Sequence, residues 1–545
     1  MRHSSTHAAG VVISSEPLTE YMPLQMEKRG EQHLVMTQYH MDNVARLGLL
    51  KMDFLGLSNL TLLAKVQEMV SQKRGISIDL RHIPLDDVKA FQLLASGETH
   101  GIFQLESAGM RRYIKELQPT KFADISAMIA LYRPGPMQQI PTFIKAKHGV
   151  IPVSYPHPAL KDILEETYGV IVYQEQVIFI ARALAGYSLG QADIFRKAMG
   201  KKIASVMKKE ERNFMIGARK QGIPGNVAKE VFFLIEPFAG YAFNKAHSVS
   251  YALIAYYTAY LKANYPEEYM TAFLNTYIGN MDKVHSAISE CRRLGIQVLP
   301  PDVSQSQAQF AIEDGEKPAI RFGLLAIKNV STTAITAITS ARQGRGPFVS
   351  VEDFSHRVDL RQVNRKVMES LIKAGAFGSL GSRKVLLDSV SQIISSAQLE
   401  RRMMDSGQMG LFGSNPPAPV KLGVDTEQSE EVSVRQKLIW ERELLGVYFS
   451  AHHLYLADSG SLPSSLISCT EIDSSMEDHV VVIAGVVATL RQAYSRDHRA
   501  FVIATLEDRD GSMEVTVWPK VYESTRGLWH EGNILVVRGL VKVRN

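Results

Sequence analysis

The chain of 545 residues carries only two cysteines, Cys291 and Cys469, too few and too far apart for a disulfide framework or a four-cysteine zinc site. That scarcity favours a reducing compartment, the cytoplasm. Long apolar runs are missing as well: the mostly apolar stretch from Val249 to Leu261 stops at Lys262, short of the roughly 18 residues of a membrane span. Met1-Arg2-His3-Ser4-Ser5-Thr6-His7 leads into no apolar core of secretion-signal length, because Val11-Val12-Ile13 is too short. Neither export nor a membrane partner is expected. No charge sign dominates either, since 61 Lys and Arg against 56 Asp and Glu leave a net +5. Any nucleic-acid surface must therefore be local.

What the chain does have is length and locally dense charge. With 45% apolar and 21% charged residues it can hold about three to four domains with ordinary cores. Arg196-Lys197-Ala198-Met199-Gly200-Lys201-Lys202 places four cations in seven residues directly after Ile194-Phe195. Like charges this close repel on a helix, and bound phosphates would offset the repulsion. From Arg196 to Lys220 nine Lys and Arg face only Glu210 and Glu211, the kind of stripe that tracks a phosphate backbone. Further on, Phe238-Ala239-Gly240-Tyr241-Ala242-Phe243-Asn244-Lys245-Ala246-His247-Ser248 interleaves rings with a cation, an amide, an imidazole and a hydroxyl. Rings can stack on a base, Asn can bond a base edge, and Lys and His can hold phosphate oxygens. Arg196, Lys197, Lys201 and Lys202 are thus candidates for phosphate contact, and Tyr241, Asn244, Lys245 and His247 for a nucleotide pocket.

Residues 1 to about 58 read as strands and turns. Val11-Val12-Ile13 marks one short strand and Lys51-Met52-Asp53-Phe54-Leu55 another, in which alternation puts Lys51 and Asp53 on one face and Met52 and Phe54 on the other. From about 59 to 297 helical periodicity dominates, punctuated at Arg133-Pro134-Gly135-Pro136 and Ile151-Pro152. After Leu299-Pro300-Pro301 a smaller unit runs to about 400, with tight turns at Gly375, Gly378 and Gly381. Polar, Pro-rich sequence follows, including Gly413-Ser414-Asn415-Pro416-Pro417-Ala418-Pro419, and reads as a linker. Val480 to Leu490, Ala500 to Leu506, Met513 to Val517 and Ile534 to Val543 predict four short strands. The expected class is α+β, multidomain. His3 and His7 have a metal-binding spacing for a helix, but with no third ligand nearby they read as surface or hydrogen-bonded residues.

The basic run and the ring-rich segment occur in order with His7-Ala8-Ala9-Gly10-Val11-Val12-Ile13, Gly101-Ile102-Phe103-Gln104-Leu105-Glu106-Ser107, Tyr132-Arg133-Pro134-Gly135-Pro136, Tyr168-Gly169-Val170-Ile171-Val172-Tyr173-Gln174-Glu175-Gln176 and Glu441-Arg442-Glu443-Leu444-Leu445-Gly446. Together these motifs resemble the alpha subunit family of bacterial replicative DNA polymerase III. The resemblance implies the end of a polymerase palm over 1–58, fingers over 59–297 and a helix-hairpin-helix, clamp-binding domain over 298–400. A linker with a clamp-binding peptide over 401–479 and an OB-type barrel over 480–545 would follow, the barrel one strand short of the usual five.

The implied reaction is template-directed nucleotidyl transfer with Mg2+ on primed DNA and deoxynucleoside triphosphates, with a sliding clamp and other replicase subunits as partners. Asp53 corresponds to the family's third catalytic carboxylate, a metal ligand, and Lys51 to a lysine near the triphosphate. A two-metal centre needs several converging carboxylates. The family's other two aspartates, a close pair upstream, have no counterpart here, so the chain is expected to be the C-terminal part of a polymerase and inactive alone. The rival expectation is a non-catalytic, clamp-tethered DNA-binding protein on the fingers scaffold. Gly323 to Ser331, leading into Thr332-Thr333-Ala334-Ile335, resembles a helix-hairpin-helix, which binds DNA backbone through hairpin amides. Asn329 and Ser331 stand where the family usually has glycine; Asn tolerates a left-handed backbone and Ser caps a helix. Gln408-Met409-Gly410-Leu411-Phe412 resembles the clamp-docking peptide, with Gln408, Met409, Leu411 and Phe412 as its contacts, an apolar pair in a polar stretch that a partner would cover.

Overall fold

The computed structural model describes residues 7, 9–29, 32–54, 56–200, 204–238, 242–315, 317–405, 431–450, 466–469, 471–472, 476–495, 497–508 and 511–542. The chain divides into two compact units, Met1–Thr61 and Leu62–Asn545. In the first, β1 (Gly10–Ile13) pairs antiparallel with β4 (Leu50–Asp53), with Gly10 opposite Asp53 and Val12 opposite Lys51. Both strands were legible from sequence. The second pair, β2 (Leu24–Arg29) with β3 (Gln32–Thr37), was not. Its apolar partners Met26 and Val35 stand opposite each other and are exposed, so no buried run announces a strand. The side of the first pair that carries Val11, Ile13, Leu50 and Met52 is exposed too, and a lone two-stranded ribbon is marginal in water.

The second unit is helical from its start to Arg293. The helices Leu189–Gly200, Ala204–Lys220 and Gly225–Phe238 share a ring cluster in which Phe195 stacks on Phe214 at 5.9 Å and meets Phe232 at 6.2 Å. Phe195 is fully buried while Ile194 beside it is exposed, and burial of the ring contributes about 1.5–3 kcal/mol. This anchor fixes the rotation of its helix, and with it the direction in which the next two residues, Arg196 and Lys197, emerge. Past Arg293, β7 (Ala319–Arg321) lies between β5 (Gln297–Leu299), its parallel partner, and the antiparallel β6 (Ala311–Glu313). These strands join the helices Thr332–Arg345, Val351–Arg357, Arg365–Lys373 and Arg383–Asp405 in one core.

Within residues 401–479, read as linker, Val434–Leu445 is a helix that buries Leu438, Leu444 and Leu445. Its Glu441 is fully buried, and the carboxylate accepts bonds of 2.8 Å each from Arg383 Nη2, Phe449 N and Ser450 N. Gly446 ends this helix at φ +73°, and a side chain there would meet Met281 Sδ at 2.9 Å.

The last element is a four-stranded antiparallel sheet ordered β10 (Ser512–Val517), β9 (Ala500–Glu507), β8 (Val480–Tyr494), β11 (Ile534–Leu540). A register shift between Val487 and Thr489 bends β8, and Val502, Ala504 and Leu506 fill the inner face against Ile483, Val487 and Trp529. On the other face Phe501 stacks on exposed Trp518 at 5.4 Å. Buried Glu507 ties the sheet to its neighbours, 2.8 Å from His285 Nε2 and 3.2 Å from Arg442 Nη1. Among the described residues no helix is long and apolar enough to cross a membrane.

Candidate nucleotide and nucleic-acid interface

Strand pairing in the first unit assembles a small polar cluster. Asp53 and Lys51 share a face, as alternation requires, and Lys51 Nζ donates to Asp53 Oδ1 at 2.5 Å. His7, read from sequence as a surface residue, lies with Nδ1 3.8 Å from the same oxygen and accepts a bond from Ala9 N at 3.2 Å. Gly10, directly opposite Asp53, makes the approach: a Cβ there would sit 2.7 Å from Lys51 Cε and 2.9 Å from His7 Nδ1. The hydrogen bond from Lys51, with the charge of its ammonium, holds the Asp53 carboxyl below the usual carboxylate range. Asp53 is therefore ionised at neutral pH, half exposed and able to take one cation ligand position. Among the described residues no group of three or more His, Cys, Asp and Glu gathers for a metal, so the donors here fit one ligand of a magnesium pair and not the whole set.

A larger cluster forms in the second unit. A parallel bridge joins Tyr173 to Phe243, through Phe243 N to Val172 O at 3.1 Å and Gln174 N to Phe243 O at 2.9 Å. It brings the start of the helix Gln174–Ala185 against the start of the helix Lys245–Asn264. Asn244 caps the latter, accepting from His247 N at 2.8 Å, while its Nδ2 donates to Glu175 Oε1 at 3.1 Å. Glu175 also accepts from Lys245 N at 3.0 Å, a carboxylate seated on the positive end of a helix. Lys245 Nζ pairs with Glu166 and lies 5.4 Å from the Tyr173 ring centre. His247 stacks on Tyr251 at 4.4 Å, and Arg133 lies over the Phe243 ring at 4.0 Å.

Arg196 joins the same cluster, its Nη1 donating to Gln174 Oε1 at 3.1 Å and its Nε and Nη2 to Asp193 Oδ1. Lys197 Nζ lies 2.8 Å from Asp193 Oδ2. The mutual repulsion expected of Arg196 and Lys197 is thus offset inside the protein by Asp193, one helical turn earlier, whose own carboxyl is held below the usual range by Lys197 and Arg196. Lys208, Lys209, Arg212, Arg219 and Lys220 are all exposed on the next helix, which continues the stripe.

Lys201, Lys202 and Tyr241, and the clamp-docking candidates Gln408, Met409, Leu411 and Phe412, lie outside the described residues. At the hairpin, Asn329 adopts φ +69° and Ser331 Oγ accepts from Ala334 N at 3.3 Å, so both residues do the work expected of them in place of glycine. The Lys328 amide donates to Leu444 O at 3.0 Å, which commits one hairpin N–H to the protein's own helix end.

Four segments match known families: residues 1–56 the bacterial DNA polymerase III alpha NTPase domain, 59–222 the bacterial DNA polymerase III alpha subunit finger domain, 295–386 the helix-hairpin-helix motif, and 481–545 the OB-fold nucleic acid binding domain. Across 546 aligned residues the chain is 42% identical to DNA polymerase III subunit alpha of Bacillus subtilis, over 100% of this chain and 48% of that protein. The chain belongs to the bacterial DNA polymerase III alpha subunit family. Similar relatives with the same name occur in Thermus aquaticus, 42% identical over 96% of this chain and 42% of the relative, and in Vibrio cholerae, 39% identical over 99% and 47%. The chain spans about half the length of the curated relatives it matches. Within the part matched to the finger domain lie Arg133, Tyr173, Glu175, Asp193 and Arg196; Asn244, Lys245 and His247 come later in sequence and reach the cluster through the Tyr173 bridge. Arg133, Glu175 and Asp193 carried no role in the sequence reading, although the first two stand inside its quoted motifs.

Proposed function

We propose that this chain supplies the nucleotide- and DNA-holding part of a template-directed DNA polymerase acting in chromosome replication. The observation that carries this reading is the convergence of separate family motifs on one spot. Arg133, Tyr173 to Glu175, Arg196 and Asn244 to His247 interlock by hydrogen bonds and ring contacts in a single cluster. In this role Arg196, Lys197 and Lys245, with Lys201 and Lys202, face phosphate oxygens, and His247 with Tyr241 borders the base. Lys and Arg next to a triphosphate need no rearrangement at the moment of transfer, which is how fixed charge lowers a barrier. Asp53 serves as one carboxylate of a magnesium-dependent centre, with Lys51 holding it in place before metal binds. Bound magnesium would neutralise charge on the transferring phosphoryl group. Because Asp53 alone cannot complete such a centre, its partners must be other carboxylates, and the isolated chain should bind primed DNA without extending it.

Arg196→Ala and Lys245→Ala should each weaken binding of primed DNA or nucleotide and lower the slope of log affinity against log salt by about 0.7–0.9, the loss of one phosphate contact. Fluorescence titrations at several salt concentrations measure this. Unchanged affinity with an unchanged slope in both variants would remove these residues from the phosphate site.

We further propose that the segment with Leu411 and Phe412 docks on a sliding clamp. Burial of each side chain in a partner groove is worth about 1.5–3 kcal/mol. Replacing both by Ala should abolish most clamp affinity in a surface-binding assay while DNA affinity persists; clamp binding that survives the double change places the contact elsewhere.

A further inference from the structure

Arg196, Lys197 and Lys245, the described cations assigned above to the triphosphate cluster, are each already held by a carboxylate of the chain itself. Arg196 and Lys197 both pair with Asp193, and Lys245 pairs with Glu166 from the turn Glu165–Thr167. These carboxylates reach their cations from different directions, Asp193 from the preceding turn of the same helix and Glu166 from a separate segment. We propose that Glu166 and Asp193 are internal competitors for the phosphate site: they occupy Lys245, Arg196 and Lys197 in the free protein and yield them when a polyphosphate binds. This rests on the reading that those cations take phosphates.

The pairs are built to exchange. Side-chain exposure is 39% for Lys245 and 43% for Glu166, and 64% for Lys197 and 38% for Asp193, so water screens these two pairs and their strength is small, while Arg196, 21% exposed and held by Gln174 as well, is the less screened partner of Asp193. A triphosphate brings several negative charges and many acceptor oxygens where each carboxylate brings one charge. Glu175 is held differently. It accepts from Asn244 Nδ2 and from the amide of Lys245, fixed donors at a helix start, and it stays as part of the frame. The consequence is selectivity. A monoanion gains too little to displace Glu166 and Asp193, so the competitors favour ligands with a chain of phosphates over single phosphate or other small anions.

Inorganic triphosphate titrated calorimetrically into the full chain at fixed ionic strength tests the idea. Glu166→Gln should tighten binding roughly two- to five-fold, the scale of an exposed ion pair. Asp193→Asn should act in the same direction. Removing a negative charge anywhere nearby would also help an anion, so the deciding measurement is the cycle with Lys245→Ala, in which the gain from Glu166→Gln should vanish. If Lys245→Ala and Arg196→Ala both leave triphosphate affinity unchanged, the phosphate reading fails and the competitors fail with it. If those two weaken binding but the amide variants do not tighten it, or Glu166→Gln tightens it equally when Lys245 is Ala, the competitor role is overturned while the phosphate reading stands. Near-UV circular dichroism of each variant confirms the native packing in which these affinities are compared.

Discussion

Replacing Asp53 with Asn in an intact alpha subunit should lower nucleotide incorporation on the order of a thousandfold, the scale lost when one preorganised charge is removed from a reacting centre. The change is nearly isosteric. It removes the negative charge that a divalent cation would need and that Lys51 now neutralises, while Gly10 opposite still leaves room for the Lys51 and His7 side chains. Asp53 is proposed as a metal ligand and not as a phosphate contact, so affinity for primed DNA should stay within about twofold, the scale of an exposed substitution. Single-turnover primer extension separates the two quantities. Extension at near wild-type rate would remove Asp53 from the catalytic centre, and a parallel loss of DNA binding would assign it to holding the substrate.

The second large effect is on folding. Glu441→Ala should destabilise the protein by about 3–5 kcal/mol, because it strips a buried carboxylate from its partners and leaves them unpaired in the interior. Those partners come from two parts of the chain: the Arg383 guanidinium, and the amides of Phe449 and Ser450 with the Ser450 hydroxyl. Glu443, two residues on and exposed, is the control, and its change to Ala should stay within about 0.5 kcal/mol. Urea denaturation followed by tryptophan fluorescence reports on this region, since Trp440 precedes Glu441. Equal midpoints for the two variants would show that the buried network carries no net stability.

What sequence makes visible depends on how far apart the interacting groups lie. Lys51 and Asp53 are two residues apart on one strand, and a period of two placed them on one face without any knowledge of tertiary structure. Ser331 and Asn329 were readable for the same reason, because capping and left-handed turns are local chemistry. Asp193 was within the same reach, three and four residues before Arg196 and Lys197, but a count that began at the first cation could not include it. His7 was out of reach, since it meets Asp53 only through the pairing of Gly10 across a separation of 43 residues. The same holds for Glu441: a charged residue in a polar stretch looks solvated until Arg383, 58 positions away, is folded against it. The helix around it, half of whose twelve residues are apolar, was hidden because it follows directly on a polar, Pro-rich stretch.

The bridge between Tyr173 and Phe243 gives the chain from 174 to 242 the form of a closed excursion that leaves one point and returns to it. In polymer terms, the entropy of closing such a loop grows only with the logarithm of its length, each doubling adding about 0.6 kcal/mol. Residues can therefore be gained or lost within the excursion at little thermodynamic cost, provided its own ring cluster around Phe195 still packs. Its two ends, beside Glu175 and Asn244, would not move, because the hydrogen bonds that close the loop, Phe243 N to Val172 O and Gln174 N to Phe243 O, are made at those ends and not along its length. The length of the excursion and the seating of its two ends are thus separable variables, as long as Phe195 keeps its packing and so holds Arg196 where it reaches Gln174.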